Sequence, residues 1–247
     1  MLKGLRLILG FLTRIPVNID WEVQDGELEK GIVWFPVVGL ILGVCCAAGY
    51  QLAVQVLPVS ISILIGMTIL IFLTGAFHID GFADTADAIY SARTRERMLE
   101  IMKDSRVGTN GAIAIVLDLA FRYIGLWNLS EMFHMEMWKV FLLLPVAGKM
   151  VQGLVGYKGV YAREKGLGLF IGTLTLPRTI LCGFLGILAF FVGFGGKGAL
   201  CAVCVMGLVF LFRKYIEGIL GGLTGDIMGA ANEIAEIVLL IFLQIFY

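Results

Sequence analysis

The sequence predicts an all-α fold: a polytopic integral membrane bundle of about five to seven transmembrane helices. Its 247 residues are 59% hydrophobic and 15% charged, whereas soluble domains are about 45–50% apolar and about 25% charged. The mean hydropathy is +0.93. No Pro-rich or Ser-rich linker divides the chain, so we expect one membrane-embedded domain over residues 1–247.

Seven apolar runs predict the individual membrane crossings, because a helix of about 20 apolar residues spans the hydrocarbon core of a bilayer. The sixth run is short and the seventh begins with polar residues. Ahead of them, Lys3, Arg6 and Arg14 are spread among apolar positions, which predicts an amphipathic helix in the membrane interface. The runs cover residues 32–57, 59–77, 111–129, 140–157, 180–195, 199–212 and 229–247.

The distribution of positive charge predicts how the chain is oriented. With seven crossings, fifteen of the nineteen Lys and Arg residues fall on one side, two on the other and two inside the crossings. Loops rich in Lys and Arg stay in the cytoplasm. We therefore expect a multi-pass protein of the cytoplasmic (inner) membrane, with its N-terminus and its polar loops in the cytoplasm. The net charge is zero and no basic patch is interleaved with aromatic residues, so nucleic acid is not an expected partner.

The most informative polar segment is HIDGFADTAD, residues 78–87, which directly follows the second apolar run. In a helix, Asp80, Asp84 and Asp87 would share one face. Like charges on one face repel unless a cation lies among them, and Mg²⁺ binds carboxylates together with substrate phosphates. We therefore predict a Mg²⁺ site and chemistry on a phosphorylated substrate. His78 could serve as a metal ligand, a general base or a partner of a ligand.

A basic segment follows the acidic one. Residues 94–102 predict a short amphipathic helix, which leads into KDSR at 103–106 and a glycine-containing string at 107–111. Cations, hydroxyls and glycines together are typical of a phosphate-binding loop, and a cytoplasmic anchor is the alternative. Residues 78–110 are thus expected to form a cytoplasmic catalytic loop with an acidic and a basic half. Its phosphate-binding candidates are Arg93, Lys103, Asp104, Ser105 and Arg106.

A third polar cluster opens the last apolar run. Asp226, Glu233 and Glu236 recur there at helical spacing. Carboxylates within a membrane are costly and usually functional, and the alternative is the solvated start of a helix. Asp226 is the best candidate of the three for contact with the metal or the substrate.

Four other charged residues lie in or beside the predicted crossings. Arg163 belongs to a basic, glycine-punctuated loop that either grips an anionic substrate or anchors the loop in the cytoplasm. Lys149 lies about one turn inside the membrane boundary, where it either snorkels or faces the site. Asp118 and Arg122 are one helical turn apart, which predicts an ion pair inside the bundle.

These motifs, at this spacing, resemble those of the cobalamin synthase family (adenosylcobinamide-GDP ribazoletransferases). The resemblance runs nearly from end to end. One departure is Lys149, where the family is expected to have an arginine; a lysine supplies a point charge but not two parallel hydrogen bonds. The similar segments are FLTRIPV at 11–17, HIDGFADTAD at 78–87, RMLEIMKDSRVGT at 97–109, YAREKGLG at 161–168, TGD at 224–226 and GA at 229–230.

The resemblance implies a reaction, a cofactor and partners. A ribose hydroxyl of α-ribazole, or of its 5′-phosphate, attacks the cobinamide-proximal phosphate of adenosylcobinamide-GDP, and GMP leaves. This is the last step of nucleotide loop assembly in cobalamin biosynthesis, with Mg²⁺ as the family's metal. A homo-oligomer, or a complex with other cobalamin-assembly enzymes, is a further expectation. The implied catalytic residues are His78, Asp80, Asp84 and Asp87, and the metal ligands are Asp80, Asp84, Asp87 and Asp226.

Two other functions compete with this one. CDP-alcohol phosphotransferases also place a DG-led aspartate cluster at a helix end, but their pattern continues differently from FADTAD. A secondary transporter would place its charges near the midplane of repeated halves. Here the charges gather at one face and no repeat is visible.

Overall fold

A computed structural model of the chain describes residues 2–24, 26–163, 168 and 170–247, the side chains of residues 2 and 135 apart. These residues are mostly helical and form no strand beyond an isolated bridge between Tyr161 and Leu223. The predicted all-α class is therefore confirmed. The helices are α1 (Leu2–Leu12), α2 (Glu27–Gly31), α3 (Phe35–Ala53), α4 (Val59–Thr74), α5 (Phe77–Ile89), α6 (Arg95–Ile101), α7 (Thr109–Phe133), α8 (Met137–Val155), α9 (Leu176–Leu220) and α10 (Gly225–Phe246), with 3-10 turns at Ile32–Trp34 and His134–Glu136.

Five helical segments are individually long and apolar enough to cross a membrane, and α4 with α5 makes a sixth if that bent pair is counted as one. Helix α9 has 45 residues, so it would be about 68 Å long if straight, roughly twice the hydrocarbon thickness. It breaks at Gly195 (φ 62°, ψ −154°). A Cβ atom on Gly183 would lie 3.7 Å from the Met206 methyl group, so residues 176–194 and 196–220 fold back on each other. The break lies between the two runs predicted at 180–195 and 199–212. The described helices support five or six crossings by length and composition, and the count of seven stays a prediction.

The predicted second crossing ends earlier than its hydropathy suggests. Gly75 (φ 64°) and Ala76 (φ 58°) are both left-handed, a conformation that terminates a helix. The chain then bends by 85° into α5. At 13 residues, α5 is about 20 Å long, and its Asp80 is exposed. Because α5 does not continue the axis of α4, we describe it as a surface element outside the crossings.

Small residues set the closest helix contact of the bundle, between α3 and α8. Gly39 and Gly43 lie one turn apart on α3, and a Cβ on either would overlap the α8 backbone. Helices in membranes often pack through such small residues because the backbones can then approach closely. Further along the same two helices, the rings of Tyr50 on α3 and Phe141 on α8 stack with their centroids 4.7 Å apart.

The two ends of the bundle differ in character. At one end, Phe133, Phe194 and Tyr247 form an aromatic cluster with centroid separations of 5.3 to 5.9 Å, and the Tyr247 hydroxyl donates to the Phe194 carbonyl. The opposite end gathers α5, α6, the segment 156–163 and the start of α10. The polar segments therefore share one end of the molecule, as the charge distribution predicts.

Candidate phosphate and metal site

Helix α5 carries its carboxylates against the start of α10. The two backbones touch because glycines face each other: a Cβ on Gly81 would lie 2.8 Å from the Asp226 carbonyl oxygen, and one on Gly229 would lie 3.1 Å from the His78 carbonyl oxygen. This approach places the Asp226 carboxylate beside the acidic face of α5, formed by Asp80, Asp84 and Asp87.

The start of α10 is fixed by a cap of its own. Thr224 occupies the N-cap position with extended backbone, and its hydroxyl accepts a hydrogen bond from the Ile227 amide at 3.3 Å. Thr is a favoured N-cap residue because its hydroxyl satisfies an otherwise unpaired amide. Asp226 lies in the first turn, where a negative charge is stabilised by the helix dipole.

Negative charge in this cluster exceeds its local compensation. The pKa of Asp84 is raised to about 7, first by partial burial and then by the charges of Asp80 and Asp226, with a smaller contribution from Asp87. Among the groups that shift this pKa, Arg163 is the one that opposes the rise. A carboxylate cluster of this kind favours a cation between its members.

Arg163 connects the acidic cluster to the basic segment. Its Nη2 donates to Asp226 Oδ2 at 2.6 Å and to the Met102 carbonyl at 3.3 Å. Met102 immediately precedes the KDSR string, so one guanidinium joins the end of α6 to the start of α10. Its Nε is buried and has no hydrogen-bond partner among the described residues.

The backbone around Arg163 is held in place by a short parallel pairing. The Ala162 amide donates to the Leu223 carbonyl at 2.8 Å, and the Leu223 amide donates to the Val160 carbonyl at 2.7 Å. Residues 164–167, which complete the basic loop of the sequence analysis, lie outside the described residues.

Asp87 has a second role that its spacing does not reveal. Its carboxylate accepts hydrogen bonds from the Gly108 amide at 2.7 Å and the Gly111 amide at 2.8 Å. Gly108 is the N-cap residue of α7 and has no side chain to cap with, so Asp87 supplies the cap from 21 residues earlier. The acidic helix is thereby fastened to the segment that follows the basic string.

The basic string itself is largely exposed. Lys103, Ser105 and Arg106 are exposed and Asp104 is half-buried. The Arg106 guanidinium donates to Asp104 Oδ2 at 2.6 Å, and its backbone amide donates to Asp104 Oδ1 at 3.1 Å. These bonds lower the pKa of Asp104 to about 2. Asp104 therefore shapes the turn, and the neighbouring cations face solvent. Arg93 is exposed in the connection between α5 and α6.

The donor set of the acidic cluster suits a hard divalent cation. Its ligating atoms are carboxylate oxygens, which Mg²⁺ prefers, and Mg²⁺ is usually held by one or two carboxylates with waters and substrate phosphates completing the shell. Among the described residues, no three His, Cys, Asp or Glu side chains enclose one point as a finished protein cage. The cluster thus fits a cation that is shared with a phosphate better than a structural metal.

His78 is not on the acidic face. It lies two positions before Asp80 and therefore points about 160° away from it around the helix. Its side chain is 2% exposed and lies near Lys149 and Gln152, between α5 and α8. The structure thus separates His78 from the three aspartates of its motif.

Lys149 is likewise buried away from the cluster, at 1% exposure. Its Nζ donates to Asn232 Oδ1 at 2.7 Å. The Asn232 amide in turn donates to Glu233 Oε1 at 2.9 Å and Glu236 Oε1 at 3.0 Å. Direct contact between Lys149 and a phosphate would require this arrangement to open.

Arg122 completes the same buried network. Its Nε donates to Asp118 Oδ1 at 2.9 Å, its Nη1 donates to Glu236 Oε2 at 2.5 Å, and its Nη2 donates to Glu233. The predicted pair of Asp118 and Arg122 is therefore confirmed and extends to α10. The sequence grouped Glu233 and Glu236 with Asp226, but the structure assigns them to this network and leaves the half-buried Asp226 outside it, paired with Arg163.

A cavity of about 600 Å³ lies on the other side of α5 from the carboxylates. Phe82 and Ile89 of α5 line it together with Leu117, Phe121 and Phe212. These α5 positions are opposite Asp80 and Asp84 on the helix. The acidic cluster therefore does not open into this cavity.

The structure corrects the description of residues 78–110 as a loop. Most of them belong to α5, α6 and the first residues of α7, joined by short connections. The cap by Asp87 and the contacts of Asn232 were not predicted. Gly108 offered a signal for the cap, because a glycine before a helix leaves amides for another side chain to satisfy.

Comparisons with known proteins give a consistent result. The family described as cobalamin-5-phosphate synthase matches residues 4–244. An adenosylcobinamide-GDP ribazoletransferase of Clostridium novyi (strain NT) is 41% identical over 247 residues, covering 99% of this chain and 98% of the relative. One from Klebsiella pneumoniae (strain 342) is 37% identical, covering 98% and 100%, and one from Listeria monocytogenes serovar 1/2a is 35% identical, covering 100% and 99%. No solved structure matches the chain. The matches span the acidic helix, the basic string and the start of α10 alike, and the chain belongs to the cobalamin-5-phosphate synthase family.

Proposed function

We propose that this protein is an adenosylcobinamide-GDP ribazoletransferase. A ribose hydroxyl of α-ribazole, or of its 5′-phosphate, forms a bond to the cobinamide-proximal phosphorus of adenosylcobinamide-GDP. The bond from that phosphorus to the bridging oxygen breaks, GMP leaves with that oxygen, and the hydroxyl proton is released. The product is adenosylcobalamin or its 5′-phosphate.

The observation that carries the proposal is the position of Arg163. One guanidinium contacts both Asp226 and the backbone that leads into KDSR, so anion-binding and cation-binding groups converge at one point. Phosphoryl transfer needs chiefly positioning and charge neutralisation. A diphosphate substrate needs basic groups to bind its phosphates and carboxylates to hold the cation that neutralises them.

We assign the substrate phosphates to the basic side of the cluster. Lys103 and Arg106 are exposed beside it and can offset charge on the equatorial oxygens. Arg163 can donate through its buried Nε, which has no partner among the described residues. Arg93 and Ser105 can add contacts to the rest of the diphosphate or the ribose.

Asp80, Asp84 and Asp226 would hold Mg²⁺, with Asp87 at the edge because two amides already occupy its carboxylate. A bound Mg²⁺ would polarise the diphosphate and stabilise the departing GMP. The hydroxyl proton passes to a carboxylate of the cluster, since His78 is on the far side of α5. Lys149 then supports the site by joining α8 to α10 through Asn232, and the buried His78 packs between α5 and α8.

We place the site at the cytoplasmic surface of the cell membrane. The charge asymmetry of the loops supports this orientation, as does the gathering of α5, α6 and the start of α10 at one end. A reporter fused after Arg97 is expected to lie in the cytoplasm, and a periplasmic reporter there would contradict the orientation. Self-association, or association with other cobalamin-assembly enzymes, stays a prediction.

GMP release tests the function directly. Purified protein in lipid nanodiscs is given adenosylcobinamide-GDP and Mg²⁺, with α-ribazole, with its 5′-phosphate or with no acceptor. We expect stoichiometric GMP and corrinoid product with at least one acceptor and none without Mg²⁺. The ratio of the two rates identifies the acceptor. Absence of product with both acceptors, from protein that is folded, would refute the proposal.

A further inference from the structure

A polar cavity, separate from the apolar one beside α5, lies at the N-terminal edge of the molecule, where α1 meets α2. Its volume is about 220 Å³, and its wall includes Lys3, Lys30, Glu27, Trp21 and Trp34. Small-molecule sites are usually about 300–1,000 Å³. This cavity is therefore suited to a compact polar group and not to a nucleotide or a corrinoid.

The position of the cavity along the membrane normal follows from its walls. Residues 27–53 are long and apolar enough to form the first crossing, and Lys30 lies in the first turn of that segment. Helix α1 buries Leu7, Ile8 and Leu12 beside it. Trp and Lys are enriched at the level of the lipid headgroups. The cavity consequently opens at headgroup depth.

The polar groups of the cavity are arranged in advance. Lys3 lies over the Trp21 ring at 5.4 Å, and the Trp21 indole donates to Glu27 Oε2 at 3.3 Å. The Gln24 amide donates to the same oxygen at 3.2 Å. These contacts fix Lys3 and Glu27 relative to each other without neutralising Lys3.

Charge selects the kind of headgroup. Lys3 and Lys30 contribute two positive charges and Glu27 one negative charge, while the neighbouring Arg6 already pairs with Asp20 at 3.4 Å. The cavity wall therefore has one positive charge in excess. An anionic phospholipid balances it, whereas a zwitterionic lipid does not.

We infer that this cavity binds the headgroup of an anionic phospholipid, with the phosphate between Lys3 and Lys30 and headgroup hydroxyls donating to Glu27. The site is separate from the acidic cluster and does not depend on the proposed catalytic function. It would hold α1 and α2 against the membrane at the start of the first crossing.

Native mass spectrometry of the detergent-solubilised full-length protein tests the inference. Phosphatidylglycerol, phosphatidylethanolamine and phosphatidylcholine are titrated separately onto the wild type, onto the double variant Lys3→Gln/Lys30→Gln, and onto the matched control Lys158→Gln/Lys214→Gln. The control removes two cations from the same end of the protein. A basic residue near a lipid surface contributes about fivefold in affinity, so the double variant should bind phosphatidylglycerol about 25-fold more weakly.

The outcomes separate the sources of the ligand. We expect the wild type and the control to prefer phosphatidylglycerol, and the double variant to lose that preference. Three results would each overturn the inference. The wild type could bind phosphatidylethanolamine as tightly as phosphatidylglycerol, the control could lose as much affinity for phosphatidylglycerol as the double variant, or the double variant could keep its full affinity for phosphatidylglycerol. Displacement of phosphatidylglycerol by millimolar inorganic phosphate would also overturn it, because the site would then take free phosphate.

Discussion

Two regions of this protein contain clusters of carboxylates, and the clusters differ in the hydrogen-bond donors that surround them. Inside the bundle, Asp118, Glu233 and Glu236 each accept a hydrogen bond from Arg122. In the acidic cluster, Asp80 and Asp84 have no such partner among the described residues, and Asp226 shares Arg163 with a backbone carbonyl. Each buried carboxylate thus has a cationic hydrogen-bond donor within the protein, whereas Arg163 is the one such donor to the acidic cluster among the described residues.

The difference indicates which region is scaffold and which is site. Buried charges are tolerated when they are paired and hydrogen-bonded, so the inner network can join α7, α8 and α10 without any ligand. The acidic cluster retains excess negative charge: partial burial, followed by the charges of Asp80 and Asp226, raises the pKa of Asp84 to about 7. Such an excess is useful where a cation and a phosphate are to be bound together.

The largest effect is expected from Arg122→Met in the inner network. The change leaves three carboxylates buried without their common donor, which should cost about 3–5 kcal/mol of stability. Thermal unfolding in detergent measures it. The matched variant Lys139→Met removes one partner of a partly exposed pair with Glu136 at 2.5 Å and should cost less than about 1 kcal/mol. Equal losses in the two variants would contradict the scaffold role.

Asp84→Asn should have the opposite effect to Arg122→Met: activity should fall and stability should not. Removing one charge from an under-neutralised cluster relieves repulsion, so we expect unchanged or slightly higher thermal stability. The Mg²⁺-dependent release of GMP should fall by roughly 10³-fold, the equivalent of several kcal/mol of charge stabilisation. Glu131→Gln, at an exposed position of α7, serves as the control. An Asp84→Asn variant with full activity would remove Asp84 from the site.

Arg163→Lys sharpens the assignment of the junction. A lysine keeps the charge but cannot donate in two directions from one plane, and one charge-assisted hydrogen bond corresponds to about 10- to 100-fold in rate. We expect kcat/KM to fall by that factor while the fold is retained. Arg178→Lys, at a pair with Glu29 of 3.8 Å, should have little effect. Loss of activity in both variants alike would indicate a general charge effect.

The smallest effect on stability is expected at the cap by which Asp87 of α5 holds the start of α7. Asp87→Ala removes the acceptor for the Gly108 and Gly111 amides, and loss of a cap typically costs about 0.5–2 kcal/mol. Thermal unfolding without Mg²⁺ isolates this loss from any metal contribution. Thr94→Ala is the matched control, because Thr94 occupies an N-cap position without a side-chain hydrogen bond. A result in which both variants unfold alike would argue against the cap.

The sequence predicted the fold class because the crossings are visible as apolar runs. The polar loops between them are visible as clusters of Lys and Arg. It also predicted the pair of Asp118 and Arg122, since residues four apart on a helix are neighbours. The bend before α5 was harder to predict from the sequence. Gly75 and Ala76 continue an apolar run, and hydropathy does not reveal their left-handed backbone.

Contacts between distant segments were the hardest to foresee. Asp226 and Glu233 share a helix and a charge, and only the packing of α7 and α8 against α10 separates their roles. His78 belongs to the acidic motif, yet helical geometry turns it away from Asp80. The link from Arg163 to Asp226 depends on a backbone pairing near Leu223 that no residue pattern encodes.

Titration with Mn²⁺, followed by electron paramagnetic resonance in the presence of GMP, tests the contrast most directly. Mn²⁺ takes the same oxygen ligands as Mg²⁺, and GMP supplies a phosphate. The account predicts one Mn²⁺ site in the wild type, retained in Asp118→Asn and lost in Asp84→Asn. Retention of Mn²⁺ in Asp84→Asn together with its loss in Asp118→Asn would contradict the assignment of site and scaffold.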